Sequence, residues 1–487
     1  MMKIDIEKVT SKIPSYVFDV AGILMDNGYE AYLVGGSVRD ILIEKDPKDF
    51  DIATNAYPEE IQKIFPKSIA TGAKFGTIVV VVSDNNGENF DVEVTTYRSE
   101  SDYFGGRWPS KVEFTKNIED DLARRDFCIN AIAIDLAHVD DPSSTQEEYI
   151  KDPFGGINDI ESKIIRSVGD PLERFLEDGL RTIRACRISS VLDFRIEENT
   201  FNAISQRLDV AGMVSKERVR DELNKLIFNS HKPSNGFRLL DQSGLLSLFI
   251  PELVESKNFY QPEYHSDNVF EHSLKTMDIA EDEIKWAGLL HDIGKIKTKT
   301  EDDQGIHYYG HDIEGAKIAE SILERLRFSK KEISRISNLI RWHMFYYPSG
   351  EWRKENGLDG IYNDDSNNRH GWSDGAIRRF IKNVGGVDQL DDLIKLRIAD
   401  AGSNKLSHFD PTEIEALQQR ISEVYEKDMA LKVSDLQIGG EELKKLGYTP
   451  GPKFNEILSY LLEIVIEDPS KNNKDDLLSI IKKNFPN

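Results

Sequence analysis

A glycine pair and two aspartates near the start of the chain have the spacing of a phosphate and metal site. A short apolar strand leads to Gly35 and Gly36, whose missing side chains let backbone N–H groups approach a phosphate, and a helix start follows. Arg39 falls near the first turn of that helix, where it can meet negative charge. Asp49 and Asp51 are one residue apart, so on an extended strand both carboxylates face the same side. Two such carboxylates repel unless a cation joins them, and Mg²⁺ is held by carboxylates together with substrate phosphates. The pattern therefore predicts a Mg²⁺ and nucleoside triphosphate site.

A dense polar cluster precedes another apolar strand further along the chain. Its members are Arg124, Arg125, Asp126 and Asn130. Paired arginines can bind triphosphate oxygens, and Asp or Asn can bond ribose hydroxyls, so the cluster is a candidate nucleotide contact. The alternative is a helix cap with surface arginines.

An acid and three arginines recur at three-residue intervals in a helix-like stretch, at Asp178, Arg181, Arg184 and Arg187. Three-residue steps on a helix give a slowly drifting stripe, which predicts one groove lined by all four side chains. An Asp beside an Arg offers an acceptor and paired donors. That set complements the amino group and ring nitrogen that cytosine and adenine both present. The alternative is a row of ordinary ion pairs on a surface helix.

Histidines and aspartates concentrate in helix-like sequence between about residues 263 and 407. The candidate ligands are His272, His291, Asp292, His311, His343 and Asp400. Imidazoles and carboxylates are typical ligands of Mg²⁺, Mn²⁺, Fe and Ni²⁺, and six of them are enough for one or two ions. We therefore expect a second divalent metal site, separate from the first.

Two kinds of element must position these residues. Strand-like and helix-like pieces alternate over about residues 32–135, which predicts a small α/β domain. Helical periodicity then dominates over residues 171–249 and through the histidine-rich stretch. The polar residues 348–375 are predicted to form a long loop, and the C-terminal part is predicted to be helical.

Length and composition limit the possible classes of protein. A chain of 487 residues with 39% hydrophobic and 30% charged residues predicts two to four folded domains. The formal net charge of −24 argues against nonspecific polyanion binding, although an Arg-lined channel on an acidic body still attracts phosphate. Cys128 and Cys186 are expected to be buried. No apolar run reaches the roughly 18 residues of a membrane span, and the first ten residues carry charges, so we expect a cytoplasmic protein with no membrane partner.

The glycine pair before a helix, with the two aspartates on the next strand, resembles the DNA polymerase beta-like nucleotidyltransferase superfamily. In that superfamily two metals bridge the triphosphate and the attacking hydroxyl. A third carboxylate often assists. Asp91 and Glu93 share one face of a predicted strand. We expect the third carboxylate to be Glu93, and a structural salt bridge is the alternative.

The motifs LVGGSVRD, DFDIAT, RRDFCINAIA, DPFGGINDI, ERFLEDGLRTIRACR and SKERVRDEL occur in an order similar to that of bacterial class II tRNA nucleotidyltransferases, the CCA-adding enzymes and their poly(A) polymerase relatives. The similarity covers about residues 32–226. It implies template-free addition of CTP and ATP to the 3′ end of a tRNA, with Asp49 and Asp51 binding the catalytic metal. It also implies that Asp178 and Arg181 imitate a Watson–Crick partner, with Glu177 orienting Arg181. The remaining nucleotide contacts that it implies are Gly36, Arg39, Arg125, Arg184 and Arg187.

Two positions depart from the family pattern, which usually has Pro at Gly179 and often an aromatic residue at Ile188. Both changes affect helix entry and packing without removing a functional group. Residues 98–114 match the flexible loop that family members use when switching from C to A addition. We therefore place full CCA addition first, and A-only addition or poly(A) polymerase activity second.

The order of histidines and aspartates in the third region is similar to that of HD-domain phosphohydrolases, where metal lowers the pKa of a bound water. The resemblance implies a phosphohydrolase site that takes a divalent ion such as Mg²⁺, Mn²⁺ or Ni²⁺. Lys295 follows the motif and is either a phosphate contact or a solvent-exposed lysine. An HD domain that serves only as a structural body is the alternative.

The expected fold is therefore α+β and multidomain, with a small polymerase beta-like α/β head followed by all-helical neck, body and HD domains. The predicted boundaries are 1–138 for the head, 139–255 for the neck, 256–408 for the HD domain and 409–487 for the C-terminal body. Two further hypotheses remain at this stage. One makes HD hydrolysis the main activity, and the other makes the chain a tRNA-binding scaffold with an inactive head. The oligomeric state stays open.

Overall fold

A mixed seven-stranded sheet frames the N-terminal part of the chain in the computed structural model. The structure describes residues 4–83, 87–104, 108–139, 141, 143–260, 267–303, 305–345, 372–404, 411–425 and 433–486. The chain divides into two compact units, Met1–Pro251 and Glu252–Asn487. The predicted α+β class is confirmed, whereas the division into four domains stays a prediction.

Thirteen strands lie in the described residues. They are β1 Tyr32–Val34, β2 Asp51–Thr54, β3 Ser68–Gly72, β4 Thr77–Ser83, β5 Asn89–Thr96, β6 Arg98–Phe104, β7 Trp108–Phe114, β8 Ala133–Asp135, β9 Ile150–Lys151, β10 Ile164–Ile165, β11 Arg195–Ile196, β12 Thr300–Asp302 and β13 Gly305–His307. The large sheet has the order β3-β4-β5-β2-β1-β8-β9. β1 runs antiparallel to both of its neighbours, whereas β2 and β5 run parallel.

The sheet forms because its central strands bury apolar side chains. All three residues of β1 are buried, as are the last three of β2. In β5, Val92 and Val94 are buried, while the acidic residues that alternate with them are exposed. Parallel pairing places Asp51 directly opposite Glu93. The sheet thus brings two acidic side chains from distant parts of the sequence side by side.

Helices of the first unit surround this sheet and continue beyond it. They are α1 Ile6–Ser11, α2 Ser15–Asp26, α3 Gly36–Leu42, α4 Pro58–Ile64, α5 Ile118–Ala123, α6 Gln146–Tyr149, α7 Gly156–Glu161, α8 Pro171–Glu177, α9 Leu180–Leu192, α10 Glu198–Gln206, α11 Leu208–Met213, α12 Lys216–Asn229, α13 Pro233–Gln242 and α14 Leu245–Phe249. The predicted neck, 139–255, is not wholly helical, because β9 belongs to the large sheet and β10 and β11 pair in parallel. β10 precedes α8 and β11 follows α9, so backbone hydrogen bonds between the two strands connect the start of α8 with the end of α9. The hydrophobic periodicity of the sequence does not reveal this pairing.

The second unit is mainly helical. Its helices, beginning with one that starts at the unit boundary, are α15 Pro251–Glu255, α16 Val269–Ile279, α17 Lys285–Leu290, α18 Lys295–Thr298, α19 His311–Arg325, α20 Lys330–Trp342, α21 Asp374–Val384, α22 Val387–Ser403, α23 Pro411–Tyr425, α24 Gly440–Lys445, α25 Pro452–Glu467 and α26 Lys474–Asn484. The hairpin of β12 and β13 is a second exception to the expected all-helical region. Most of the predicted loop 348–375 lies outside the described residues, but its last two positions already belong to α21.

Other sequence expectations have clear outcomes. Both cysteines are free and buried, as predicted. Residues 98–114 were expected to form a flexible loop and instead form the antiparallel strands β6 and β7, with residues 105–107 outside the described part. Alternating residue types and the pairing partner supplied by the hairpin itself favour strands there. Among the described helices, none is long and apolar enough to cross a bilayer.

Gly179 has a packing reason for departing from the family pattern. Its backbone is ordinary right-handed helix, but an added Cβ would lie 2.4 Å from the carbonyl oxygen of Val210 in α11. A proline or any larger residue would meet the same backbone. The close approach of α11 to the start of α9 therefore requires a glycine at this position.

We predict that Gly179→Ala lowers the free energy of unfolding by about 1–3 kcal/mol, because backbone must shift to admit the methyl group. Gly212→Ala is the matched control, since an added Cβ there meets nothing within 4 Å. It should leave stability unchanged or raise it by about 0.5–1 kcal/mol, as expected for Gly to Ala in a helix. Chemical denaturation of both variants measures the difference, and equal stabilities would contradict the packing argument.

Candidate functional site

Three carboxylates cluster where β2 and β5 meet. Asp51 begins β2, Glu93 lies opposite it on β5, and Asp49 is exposed just before the strand. The predicted strand through both aspartates is therefore shorter than expected and starts only at Asp51. None of the three carboxylates accepts a hydrogen bond or ion pair from a described residue. Burial, followed by the charge of Glu93, raises the pKa of Asp51 to about 6. An acid cluster with this little compensation fits a bound cation.

Asp91 occupies a different place from Glu93. It is also exposed on β5, but its partner in the sheet is Val81 of β4. Only Glu93 lies directly across from Asp51. The geometry thus favours Glu93 over Asp91 as the third carboxylate.

The glycine bend, a guanidinium and the acid cluster meet at one point. Gly35 has φ of +81°, a conformation that favours glycine. An added Cβ on Gly35 would lie 3.1 Å from Nη1 of Arg125 and 3.5 Å from Oδ2 of Asp51. Arg125 donates one hydrogen bond to Asp121, while its buried Nε has no hydrogen-bond partner. A guanidinium whose Nη1 lies beside the bend fits an anionic group such as a phosphate.

Arg39 connects the glycine bend to the second polar cluster. Gly36 is close to it, because an added Cβ would lie 3.5 Å from Nη2 of Arg39. Nη1 of Arg39 donates to Oδ1 of Asn130 at 2.8 Å, and Nδ2 of Asn130 donates to Asp126 at 3.2 Å. The structure therefore brings together Arg39, Asn130 and Asp126 from separate motifs.

Both carboxylate oxygens of Asp126 are bound by protein donors, which is unlike the ribose contact that the sequence predicted. Its carboxylate accepts from Asn130 and the backbone of Phe127 on one oxygen, and from Arg184 at 2.6 and 2.8 Å on the other. Burial opposes ionisation, but Arg184 and the Asn130 hydrogen bond outweigh it and hold the pKa of Asp126 well below its usual range. Asp126 thus anchors Arg184 to the head.

Arg124 also serves mainly as an anchor. Its side chain donates to Asp121, which is fully buried, at 2.8 and 3.0 Å. Its carbonyl oxygen accepts from Nη2 of Arg181 at 2.9 Å. Nη1 of Arg181 donates to Arg174 and pairs with Glu177. The expected contact of Glu177 with Arg181 is therefore present in the structure.

Asp178 is not part of the helical stripe that the spacing predicted. Asp178 lies between α8 and α9 with an extended backbone, and the residue that immediately precedes the first turn of α9 is Gly179. Arg184 and Arg187 do lie on α9, and both face Glu222 of α12. Asp178 is paired with Arg218, also on α12.

Arg218 and Glu222 are functional candidates that sequence reasoning missed. The motif SKERVRDEL contains both, but no spacing argument connects them to charges about 40 residues earlier. The available signal was the four-residue spacing of Arg218 and Glu222, which places both on one face of a helix.

The six ligands predicted in the second unit converge. His272 lies on α16, His291 and Asp292 follow α17, and Asp400 lies on α22. His311 begins α19 and His343 follows α20. Nε2 of His272 is 3.2 Å from Nε2 of His291 and 3.0 Å from Oδ1 of Asp400. Ligand atoms about 3 Å apart can share one ion with bonds of about 2.1 Å.

The two oxygens of Asp292 face different histidine pairs. Oδ2 lies 3.6 Å from Nε2 of His272 and 3.5 Å from Nε2 of His291. Oδ1 lies 3.4 Å from Nε2 of His311 and 3.9 Å from Nε2 of His343. These residues form two overlapping groups that could each hold a metal ion. A carboxylate between two groups can bridge two ions.

Hydrogen bonds fix how three of the histidines point. Nδ1 of His291, His311 and His343 lies 2.7 to 2.9 Å from a backbone carbonyl oxygen, so Nδ1 carries the proton and Nε2 keeps its lone pair. Nε2 of His311 and of His343 is buried without a hydrogen-bond partner. Burial, then the neighbouring histidine charges, lowers the pKa of His343 to about 3, which keeps it neutral. This donor set fits a divalent metal.

Lys295 is not the solvent-exposed lysine that was the default expectation. It is buried, and its Nζ donates to Oδ2 of Asp292 at 2.8 Å. Arg397 supports the other acid in the same way, through a 3.0 Å contact with Asp400. Burial opposes ionisation of both aspartates, but Lys295 and the neighbouring histidines hold the pKa of Asp292 well below its usual range, and hydrogen bonds from His272 and His291 do the same for the pKa of Asp400.

Three models of known protein families match separate parts of the chain. The model of the poly(A) polymerase head domain matches residues 31–166, that of the probable RNA and SrmB-binding site of polymerase A matches residues 193–256, and that of the HD domain matches residues 264–402. The chain is 44% identical over 220 residues to a CCA-adding enzyme of Lactococcus lactis subsp. cremoris, covering 45% of this chain and 52% of the relative. It is 39% identical over 284 residues to a CCA-adding enzyme of Lactobacillus helveticus, covering 57% and 65%. The chain thus spans between about half and two thirds of the length of these relatives.

Solved structures share the fold over nearly the whole chain. The CCA-adding enzyme of Bacillus stearothermophilus in complex with CTP is 25% identical, with a TM-score of 0.66 and coverage of 96% of this chain and 97% of that one. A Thermotoga maritima CCA-adding enzyme complexed with tRNA_CCA is 20% identical, with a TM-score of 0.51 and coverage of 99% and 100%. At that identity the likeness shows the fold alone.

Fold and sites together define a polymerase beta-like nucleotidyltransferase head on a chain that also carries an HD-type metal domain. Domains of both kinds generally use divalent metal ions. Residues 31–166 thus match the head domain of poly(A) polymerases, and the chain is similar to bacterial proteins named CCA-adding enzymes.

The raised pKa of Asp51 predicts a stability effect in metal-free protein. Between about pH 4 and pH 6 the folded state binds more protons than the unfolded state, so this carboxylate costs stability as pH rises and the cost is complete above pH 6. Asp51→Asn should therefore raise the free energy of unfolding by about 1–3 kcal/mol at pH 7.5 in EDTA, and by little near pH 4. Asp91→Asn, on the exposed face of β5, is the control and should change little at either pH. Thermal unfolding at both pH values measures the effect, and a less stable Asp51→Asn protein at pH 7.5 would contradict it.

Proposed function

We propose that the head transfers nucleotides from CTP and ATP to the 3′ end of a tRNA without a template, completing the CCA sequence. The observation that carries this proposal is the acid cluster of Asp49, Asp51 and Glu93, in which Asp51 lies beside the bend at Gly35 together with Nη1 of Arg125. Similarity to proteins named CCA-adding enzymes supports the choice of substrates.

The side chains of the head have separate tasks in this proposal. Asp49, Asp51 and Glu93 would hold Mg²⁺, which supplies positive charge to the reacting phosphate when bound. Arg39 and Arg125 would bind triphosphate oxygens, as guanidiniums do through paired donors. The terminal hydroxyl of the tRNA attacks the α-phosphate, and pyrophosphate leaves. Positioning and charge stabilisation account for most of the catalysis in such transfers.

Nucleotide choice is assigned to Asp178 and Arg181. An acceptor beside donors complements the shared edge of cytosine and adenine, and UTP and GTP present the reverse arrangement. A rejected base would leave buried polar groups of the pocket without partners. A-only addition and poly(A) synthesis use the same machinery, so the accepted tRNA ends separate the three specificities.

A direct assay offers labelled CTP and ATP with tRNAs that end at the discriminator base, at C, or at CC. We expect the protein to extend all three to CCA. Asp49→Ala, Asp51→Ala and Glu93→Ala should each lower incorporation by about 1,000-fold or more, because several kcal/mol of charge stabilisation depend on the metal. Binding of tRNA should stay nearly unchanged.

The matched control is Asp91→Ala, an exposed acid on the same face of β5. It should retain incorporation. Activity that persists in the Asp51→Ala protein would overturn the metal assignment, whereas extension of only the tRNA that ends in CC would favour A-only addition.

We further propose that the HD site is a dinuclear phosphohydrolase centre for Mg²⁺, Mn²⁺ or Ni²⁺, with a phosphate ester of an RNA end as substrate. The bridging position of Asp292 and the unpartnered Nε2 atoms of His311 and His343 support two ions over one. A structural body without activity is the competing proposal.

Metal counting tests this proposal. In an Asp51→Asn background, which removes the head site, elemental analysis should find about two ions per chain. His311→Ala and His343→Ala should lower the count to about one, because only the half formed by His272, His291 and Asp400 remains. Hydrolysis of a 2′,3′-cyclic nucleotide should be lost in Asp292→Ala while CCA addition is retained. A count that stays at one or below in the parent protein would contradict the dinuclear assignment.

A further inference from the structure

Helix α12 carries a charge pair that the proposed reaction does not yet use. Arg218 and Glu222 are four residues apart, so they lie on one face of the helix. Arg218 contacts Asp178, and Glu222 contacts Arg187 and Arg184. One helix face therefore supplies the counter-charges for three of the four residues in the predicted base-reading set.

The contact between Arg218 and Asp178 is a two-bond fork. Nη1 of Arg218 donates to Oδ1 of Asp178 at 3.2 Å, and Nη2 donates to Oδ2 at 2.7 Å. The Asp178 side chain is 20% exposed. A planar guanidinium that bonds both oxygens fixes the plane of the carboxylate as well as its position.

This fork leaves one oxygen of Asp178 better able to accept a further bond. Oδ1 also accepts from the backbone N–H of Leu180 at 3.0 Å, so it already has two donors. Oδ2 accepts only from Arg218 among the described residues. A carboxylate oxygen has two lone-pair directions, so Oδ2 retains one for an incoming donor.

Glu222 is the complementary half of the pair. It is 3% exposed, and its Oε2 accepts from Nε of Arg187 at 2.5 Å. Its Oε1 lies 3.8 Å from Nη1 of Arg184, whose other contacts go to Asp126. Glu222 therefore contacts two guanidiniums of α9, one of which is also bound by Asp126.

We propose that Arg218 and Glu222 are positioning residues for nucleotide choice. Arg218 aims Oδ2 of Asp178 at the exocyclic amino group of cytosine or adenine, and Glu222 sets the two arginines of α9. The inference rests on the proposed function, because it concerns the same base-reading pair. The two bonds from Arg218 explain how the carboxylate of Asp178 keeps a fixed orientation although Asp178 lies outside helix α9.

The fork also explains why an arginine, and not merely a positive charge, is needed at this place. Lysine would keep the charge but contact one oxygen at a time, which leaves the carboxylate free to rotate. Arg218→Lys should therefore lower nucleotide selectivity less than Arg218→Gln, which removes both the charge and the fork.

Steady-state kinetics with CTP, ATP and UTP on a tRNA that ends at the discriminator base or at CC tests the proposal. Arg218→Gln should raise the KM for CTP and ATP by about 10- to 100-fold, the range expected for losing hydrogen bonds to a charged group. The kcat at saturating nucleotide should change less, and UTP incorporation relative to CTP should rise. Arg220→Gln is the matched control on the same helix, where Arg220 contacts its neighbour Asp221.

A double-mutant cycle separates positioning from general structural support. In an Asp178→Asn background, Arg218→Gln should change the KM by less than about 2-fold, because its effect passes through Asp178. Effects that multiply fully, or an Arg218→Gln protein with the selectivity of Arg220→Gln, would overturn the proposal. Thermal unfolding of each variant identifies loss of folding, and Arg218→Lys supplies the comparison if Arg218→Gln unfolds. A wild-type chain that adds no nucleotide to any tRNA would instead refute the proposed function.

Discussion

Strands β2 and β5 are distant in sequence, and their parallel pairing places the carboxylate of Asp51 beside that of Glu93. The proposed function of the head depends on the repulsion between these two carboxylates. Burial and a neighbouring acid raise the pKa of Asp51 to about 6, although Arg125, which is also hydrogen-bonded to Asp121, opposes this rise. Such closely spaced acids lower the stability of the metal-free protein, and a bound cation would offset their repulsion. The site is therefore poorly compensated by itself and well suited to a metal and a triphosphate.

Guanidiniums surround this acid cluster in a connected network. Arg39 reaches Asp126 through Asn130, Asp126 holds Arg184, and Glu222 lies between Arg184 and Arg187. On a chain with a net charge of −24, these guanidiniums concentrate positive charge locally, which is what an anion site requires. The same network joins the glycine bend to helices α9 and α12, which carry the residues proposed to read the base. The HD site uses the reverse arrangement, in which Lys295 and Arg397 support the aspartates of a histidine cluster.

Local patterns predicted the elements and the ligand types well, because strand alternation, the glycine bend and the HD motif depend on near neighbours. The concentration of histidines and aspartates predicted a second metal site, and the resemblance to HD domains supported the same six ligands. Local patterns missed the extended backbone of Asp178, since three-residue spacing does not show that the helical stretch is interrupted at that residue. They also missed Arg218 and Glu222, because their partners lie about 40 residues earlier and come close only when α12 packs against α9. Strands β6 and β7 formed where a loop was expected, since each strand supplies the other's hydrogen bonds.

The central claim is that the carboxylates at the junction of β2 and β5 hold a divalent cation beside a triphosphate. Crystals grown with CTP and Mn²⁺ test it through anomalous scattering collected at the manganese edge. The account predicts an anomalous peak about 2.1–2.2 Å from Oδ2 or Oδ1 of Asp51, in contact with oxygens of the bound triphosphate. Well-ordered CTP with no anomalous peak within reach of Asp49, Asp51 or Glu93 would contradict it.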